Sequence, residues 1–236
     1  MQFDVITLFP QFFESPLKQS LLNRAIECGL VEIKLHHLRD HGVGRHKVCD
    51  DVPYGGGGGM VLKPEPLSQA VESILHAESP QPSMTILLSP QGAVLNQQKV
   101  KKLSELQRVI LVCGRYEGVD ERFRELYVDE EISVGDYILS GGEAAALILI
   151  EAVARLVPGV VGNPESLCDE SFEDDTLQYP HYTRPLVFSG QKVPDILRSG
   201  DHKQIKLWRK KQAYDRTRTR RPDLLKKRGK NNESYS

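Results

Sequence analysis

Four glycine-bearing segments of this 236-residue chain hold the residue types from which a ligand site can be built. LLSPQG (87–92) and VCGRYEGVDER (112–122) each follow a short apolar, β-branched run, and ISVGDYILSGGE (132–143) leads into a long apolar stretch. They offer backbone amides, small residues and few charges apart from Arg115, Glu117 and Asp136. Such groups suit an adenosine-like ligand read by main-chain hydrogen bonds in an apolar pocket. They suit a polyphosphate less well, because no lysine or metal-binding carboxylate is placed to receive phosphates. The fourth segment, PYGGGGGM (53–60), has no following GK[ST] and is not a P-loop. Nor does it join a first strand to its helix, where a dinucleotide fingerprint would lie. That junction reads Leu8-Phe9-Pro10-Gln11, without glycine. A run of five glycines lets backbone approach a ligand or close over one. The plainer alternative is an unpacked connector.

These loops need a scaffold, and the hydrophobic pattern supplies one. Strands are expected at 5–9, 30–35, 84–88 and 109–112. Helices are expected at 12–28 (stopped by Gly29), 66–77, 96–106 with an Asn96 cap, and 142–157, stopped by Pro158 and Gly159. Strands separated by helices imply a mostly parallel sheet with helices on both faces. Ligands of such sheets bind outside the carboxyl ends of the strands, where all three loops would fall.

The pattern breaks at Gly162-Asn163-Pro164, and an acidic stretch with Asp169, Glu170, Glu173, Asp174 and Asp175 follows. The expected organisation is a core domain over 1–162, a flexible acidic linker over 163–176, and a small basic helical module over 177–236. In that module Ile205 and Trp208 share one side of a helix, and the last stretch, GKNNESYS, reads as disordered. The formal net charge of −1 hides a polarity: residues 203–230 carry 13 Lys or Arg against two Asp, a net of +11, and the remainder carries −12. So polarised a chain is expected to meet a polyanion with its basic end, a solvated helical face being the plain alternative.

Cys28, Cys49, Cys113 and Cys168 form no CxxC pair, which argues against a disulfide framework or zinc site and for a reducing cytoplasm. No run approaches the ~20 apolar residues of a membrane span. The first ten residues lack a basic n-region, so no signal peptide is expected.

PYGGGGGM, LSPQG, LVCGRYEGVDER, SVGDYILSGGE, PGVVGN and PHYTRP, in this order, resemble the bacterial tRNA (guanine-N1)-methyltransferase family TrmD, of the SPOUT class. The resemblance runs from LFP near the start to RRPDLL at 220–225. It implies methyl transfer from S-adenosylmethionine to N1 of the guanine at tRNA position 37. It also implies a deep trefoil knot in the parallel α/β domain, an exception to the rule that chains do not thread loops. An all-α C-terminal domain would grip the anticodon stem-loop. A homodimer with the active site at its interface completes the expected assembly.

The resemblance also distributes roles. Leu88, Ser89 and Pro90 from the first loop, with Gly114, Tyr116 and Glu117 from the second, would hold the methyl donor. From the third loop Ser133, Val134, Gly135, Asp136, Tyr137, Ile138, Leu139, Gly141 and Gly142 would join them. Arg155 corresponds to the catalytic arginine, and Glu170 to the catalytic carboxylate. The family most often has aspartate directly before Ser-Phe. Here Glu170 occupies that place and Asp169 lies one residue earlier, so Asp169 serves instead if the register slips. A second departure is Ala145, where proline is common. Asp50, Gly59, Arg115, Tyr116, Arg45 and His46 are the expected substrate contacts, and a magnesium ion near Glu117 and Glu170 is a family expectation. Without the resemblance, Arg155 reads as a cation at a helix C-terminus and Glu170 as a linker acid. Two rivals are a related knotted RNA methyltransferase with another target, and an RNA-binding protein without catalysis. A nicotinamide-dependent dehydrogenase is disfavoured by the missing glycine fingerprint.

Overall fold

The computed structural model describes residues 1–77, 83–163 and 169–225. The chain divides into two compact units, Met1–Gly162 and Asn163–Ser236.

The first unit is an α/β layer structure. Its strands are β1 (Gln2–Thr7), β2 (Glu32–His37), β3 (Asp50–Asp51), β4 (Val61–Leu62), β5 (Ser83–Val94), β6 (Arg108–Cys113) and β7 (Glu130–Ser133). Five of them form one sheet in the order β2-β1-β6-β5-β7, with every neighbouring pair parallel. β3 and β4 make a separate antiparallel pair. The helices are α1 (Ser20–Glu27), α2 (Pro64–His76), α3 (Gln97–Ser104), α4 (Glu121–Tyr127) and α5 (Glu143–Ala154). Alternation along β1 sends Phe3 and Val5 to a core shared with α1, α3 and α5, and Ile6 to a second core shared with α2 and α4. β6 is buried at every position, as befits a central parallel strand covered on both faces. Among the described residues, no helix is long and apolar enough to cross a membrane.

Two local details differ from the sequence expectation. Residues 12–28 do not form one helix: 3-10 turns at Pro10–Phe13 and Pro16–Lys18 precede α1. Proline has no N–H to continue a ladder, so each proline opens a fresh turn instead of extending an old one. The 87–92 segment is not a simple loop after a strand. β5 pairs with β7 at Leu88↔Ile132 and again at Ala93↔Ile132, so residues 89–92 bulge out between the two pairings. Gly92 in this bulge lies against the β7 backbone at Glu131 and Ile132, where a Cβ would overlap. The Asn96 cap is present, its side chain accepting from the Lys99 N–H at 3.0 Å.

Asp4 is fully buried inside β1. Its carboxylate accepts from Arg108 Nε at 2.7 Å and Gln2 Nε2 at 2.9 Å, and His36 Nε2 lies 2.7 Å away. Burial alone would raise its pKa; the His36 and Arg108 interactions together outweigh burial and hold it below the usual carboxylate value.

In the second unit, α6 (His202–Arg220) is capped by the Asp201 side chain, which accepts from the Lys203 and Gln204 N–H groups. Ile205, Trp208 and the fully buried Thr217 lie along its covered side, while Lys210 and Lys211 are exposed. The resemblance implies an all-α domain, but a short hairpin, β8 (Val187–Phe188) with β9 (Gln191–Lys192), accompanies the helix. Within the acidic stretch, Phe172 N–H donates to the Thr176 carbonyl at 2.7 Å, and Leu177 N–H donates to Thr217 Oγ1 at 2.8 Å. Residues 164–168 of the expected linker, and GKNNESYS, lie outside the described residues.

Candidate functional site

A pocket of about 320 Å³ opens at the carboxyl edge of the sheet. Its walls are the bulge of β5, the loop after β6 and the loop after β7. Every expected donor-pocket residue except Asp136 lines it. Gln91, Val119 and Ser140 join the lining, as do the charged Glu121, Arg124 and Glu131.

The loops are held by their own backbone. Gly142 N–H donates to the Gly114 carbonyl at 2.9 Å, closing the third loop on the second. Gly142 has no space for a side chain: a Cβ would sit 2.8 Å from Cys113 Cα. Ser133, nearly buried, receives Gly135 N–H on its hydroxyl at 3.2 Å and donates back to the Gly135 carbonyl at 3.0 Å. Tyr116 adopts a left-handed backbone (φ 60°), which turns its side chain outward, half exposed. Ile138 is 81% exposed, an unusual state for an isoleucine beside a pocket.

At the pocket wall lies a charge pair, the pocket-lining Arg115 with a buried carboxylate. Glu143, the first residue of α5, is 1% exposed. It accepts from Thr7 Oγ1 at 2.8 Å and from Arg115 Nε at 3.0 Å. Arg115 Nη1 donates to the Ser140 carbonyl at 3.0 Å, and its guanidinium lies over the Phe9 ring at 4.4 Å. Burial, then the charge of Glu143, push the neighbouring Cys113 thiol well above its ordinary range, so it stays a neutral core residue and no nucleophile.

The glycine run meets this site at one end. Glu117 N–H donates to the Met60 carbonyl at 3.0 Å, and Gly59 packs against the Glu117 carboxylate with no room for a Cβ. Gly59 also has φ +88°, a conformation that favours glycine. Gly55, Gly56, Gly57 and Gly58 have no atom within 4 Å of where a Cβ would stand.

The remaining candidates are not in the pocket lining. Arg155 caps the C-terminal end of α5 and is half-buried. Asp50 lies in β3 opposite Leu62. Arg45 and His46 are exposed in the tight connection between Val43 and Val48. Asp169 and Glu170 belong to the second unit. There they line a groove that Lys206, Arg209 and Lys210 of α6 also line. In the same groove Arg209 stacks over Tyr179 at 4.7 Å. Among the described residues, no group of three or more His, Cys, Asp or Glu side chains is positioned to hold a metal ion.

Glu143, Thr7 and Phe9 were not singled out from the sequence. The available signal for Glu143 was an acid opening an otherwise apolar helix, which also reads as a plain partner of the helix dipole. Nothing local marks Thr7, whose partner is 136 residues away.

Fold and pocket together define an α/β protein with a pocket of main-chain loops at the carboxyl edge of a parallel sheet. A family model described as tRNA (Guanine-1)-methyltransferase TrmD matches residues 1–227. A tRNA (guanine-N(1)-)-methyltransferase of Carboxydothermus hydrogenoformans is 54% identical over 97% of this chain and 89% of its own length. One of Chloroflexus aurantiacus is 52% identical over 95% of this chain and 88% of its own. The chain belongs to the TrmD family of tRNA (guanine-1)-methyltransferases.

Proposed function

We propose that the protein methylates N1 of the guanine at position 37 of tRNA, next to the anticodon, using S-adenosylmethionine. The observation that carries this reading is the pocket of three main-chain loops in a chain of this family. Its size and lining fit an adenosine-bearing donor. The walls supply backbone N–H and C=O groups beside Leu88, Ile138 and Leu139, and the tight Gly142 contact holds the third loop against the second. The loops after β5, β6 and β7 would hold the donor. When bound, S-adenosylmethionine supplies a methyl group on a sulfonium, which leaves readily once aligned.

Guanine N1 carries a proton at neutral pH, so the enzyme must accept it. Glu170 takes that proton in our reading, with Asp169 as the alternative. Negative charge then builds on guanine O6, and the Arg155 guanidinium stabilises it by about 3 kcal/mol. Arg155, in the same unit as the donor pocket, does not line it. We therefore keep the homodimer, with the site at the subunit interface, as part of the proposal. The exposed Tyr137 and Ile138 at the pocket rim support a surface that another molecule covers. The trefoil path is likewise proposed, on the family resemblance. The basic helix α6 grips the anticodon stem-loop, Asp50, Gly59, Tyr116, Arg45 and His46 are proposed to meet the RNA, and the setting is the cytoplasm. Magnesium enters no step.

The test is methyl transfer from labelled donor to two tRNA transcripts. One has guanine at positions 36 and 37, and the other differs only by adenine at 37. Label on the first alone is expected. Equal label on both moves the target nucleotide, and label on neither refutes the activity.

A further inference from the structure

A carboxylate at the head of a core helix needs an explanation. α5 buries Ala146, Leu149, Ile150 and Val153 completely, and Glu143 is as buried as they are. Taking a charge out of water is costly unless partners compensate. Here they do: Thr7 holds one carboxylate oxygen at 2.8 Å, and Arg115 holds the other through Nε and Nη2, both at 3.0 Å. Such a pair is a poor source of stability, because a well-packed apolar substitute often does as well or better. Its distinctive property is directional: it fixes geometry.

What it fixes is the pocket. Arg115 belongs to the second loop, and its Nη1 donates to the Ser140 carbonyl of the third at 3.0 Å. Its side chain fills the space where Gly141 would carry a Cβ, so the two loops interlock. Phe9, beyond the end of β1, closes the far side of the guanidinium at 4.4 Å. Three chain segments, distant in sequence, thus converge on one guanidinium whose direction Glu143 sets. The outer parts of the same loops are open to solvent: Tyr116 is 51% exposed, Tyr137 53% and Ile138 81%.

We propose that Glu143 is a positioning residue for the donor pocket, acting through Arg115 to lock the second and third loops at the spacing the methyl donor requires. Arg115 thereby serves the pocket's shape and not contact with RNA. This rests on the reading of the pocket as the S-adenosylmethionine site.

The experiment measures S-adenosylmethionine binding by calorimetry, with tRNA affinity, melting temperature and the KM and kcat of methyl transfer alongside. The proteins are full-length wild type, Glu143→Gln, Arg115→Met, and the double variant that combines these two substitutions. Each single variant is expected to weaken donor binding on the order of tenfold to a hundredfold, as misplaced positioning groups do. The KM for donor rises with it, and the tRNA affinity of Glu143→Gln is unchanged. The double variant, which leaves no unpaired charge of this pair, is expected to be no worse than the worse single, because the two side chains act as one unit. If Glu143→Gln fails to fold, the double variant carries the test. Wild-type donor affinity in a folded Glu143→Gln or double variant, with only the melting temperature lowered, overturns the positioning role. So do single effects that add in the double. Wild-type protein that binds no S-adenosylmethionine overturns the donor-pocket reading itself, and this role with it.

Discussion

Asp169 and Glu170 are neighbours of the same charge, and in the proposed reaction only one of them accepts the proton of guanine N1. Glu170 directly precedes Ser171, whose hydroxyl accepts the Gln178 N–H at 3.0 Å, so it sits closer to the anchored part of its turn. Glu170→Gln is expected to lower kcat on the order of a hundredfold or more with tRNA affinity retained. Asp169→Asn is expected to leave kcat near wild type, and the reverse ranking in single-turnover assays would reassign the base. Gly142 makes a different kind of prediction. Its φ of −76° suits any residue, so space alone decides. A Cβ there would meet Cys113 Cα at 2.8 Å and Gly114 N at 3.0 Å, both backbone atoms that cannot swing away. Gly142→Ala is expected to cost about 1–3 kcal/mol in urea unfolding and to weaken donor binding.

Among elements, the strands and helices were legible where one period dominated. The apolar runs at 84–88 and 109–112 marked β5 and β6, and the Asn96 cap marked α3. The 12–28 stretch misled because its helical spacing continues across Pro16, while the backbone at that point cannot. The β5 bulge was invisible because pairing register depends on β7, more than thirty residues away. A threaded path leaves no trace in hydrophobic period, so the knot rests on resemblance alone. Arg155 and Glu170 are singled out only by a family motif, since each has an ordinary use as a helix-end cation or a surface acid. Asp4 was hidden for the opposite reason, a charged residue in a buried strand whose partners are on two other strands. Its depressed pKa has a testable sign. The unfolded chain binds the Asp4 proton first as pH falls, so the stability this carboxylate adds is whole above the ordinary value near ~3.9 and fades as pH drops through the lower folded value. Asp4→Asn is expected to cost about 3 kcal/mol at pH 7. The gap from wild type should shrink below pH ~3.9. A constant gap in denaturant titrations from pH 7 to 2.5 would deny the linkage.

At the scale of the whole molecule the charge separation is the dominant feature, +11 over residues 203–230 against −12 elsewhere. Affinity for tRNA is therefore expected to fall steeply with salt. Lys210→Ala with Lys211→Ala should reduce the slope of log Kd against log salt by about 1 for each phosphate that α6 no longer neutralises. An unchanged slope would move the RNA surface off α6. Activity is expected only from the dimer, and a fully active monomer in sedimentation would refute the shared site.

Every neighbouring pair in the main sheet is parallel, so no two of its strands can join through a tight turn. This has a consequence for the newborn chain. β1 and β2 leave the ribosome close together, but the Asp4–Arg108 contact spans 104 residues and the Thr7–Glu143 contact 136. At synthesis speeds of about 5–20 residues per second the first strand waits roughly ten seconds for its partners. For that interval one edge of β1 stands open, and the pocket at the sheet's carboxyl edge cannot exist. Translation must pass Glu143 before the chain acquires any capacity for chemistry.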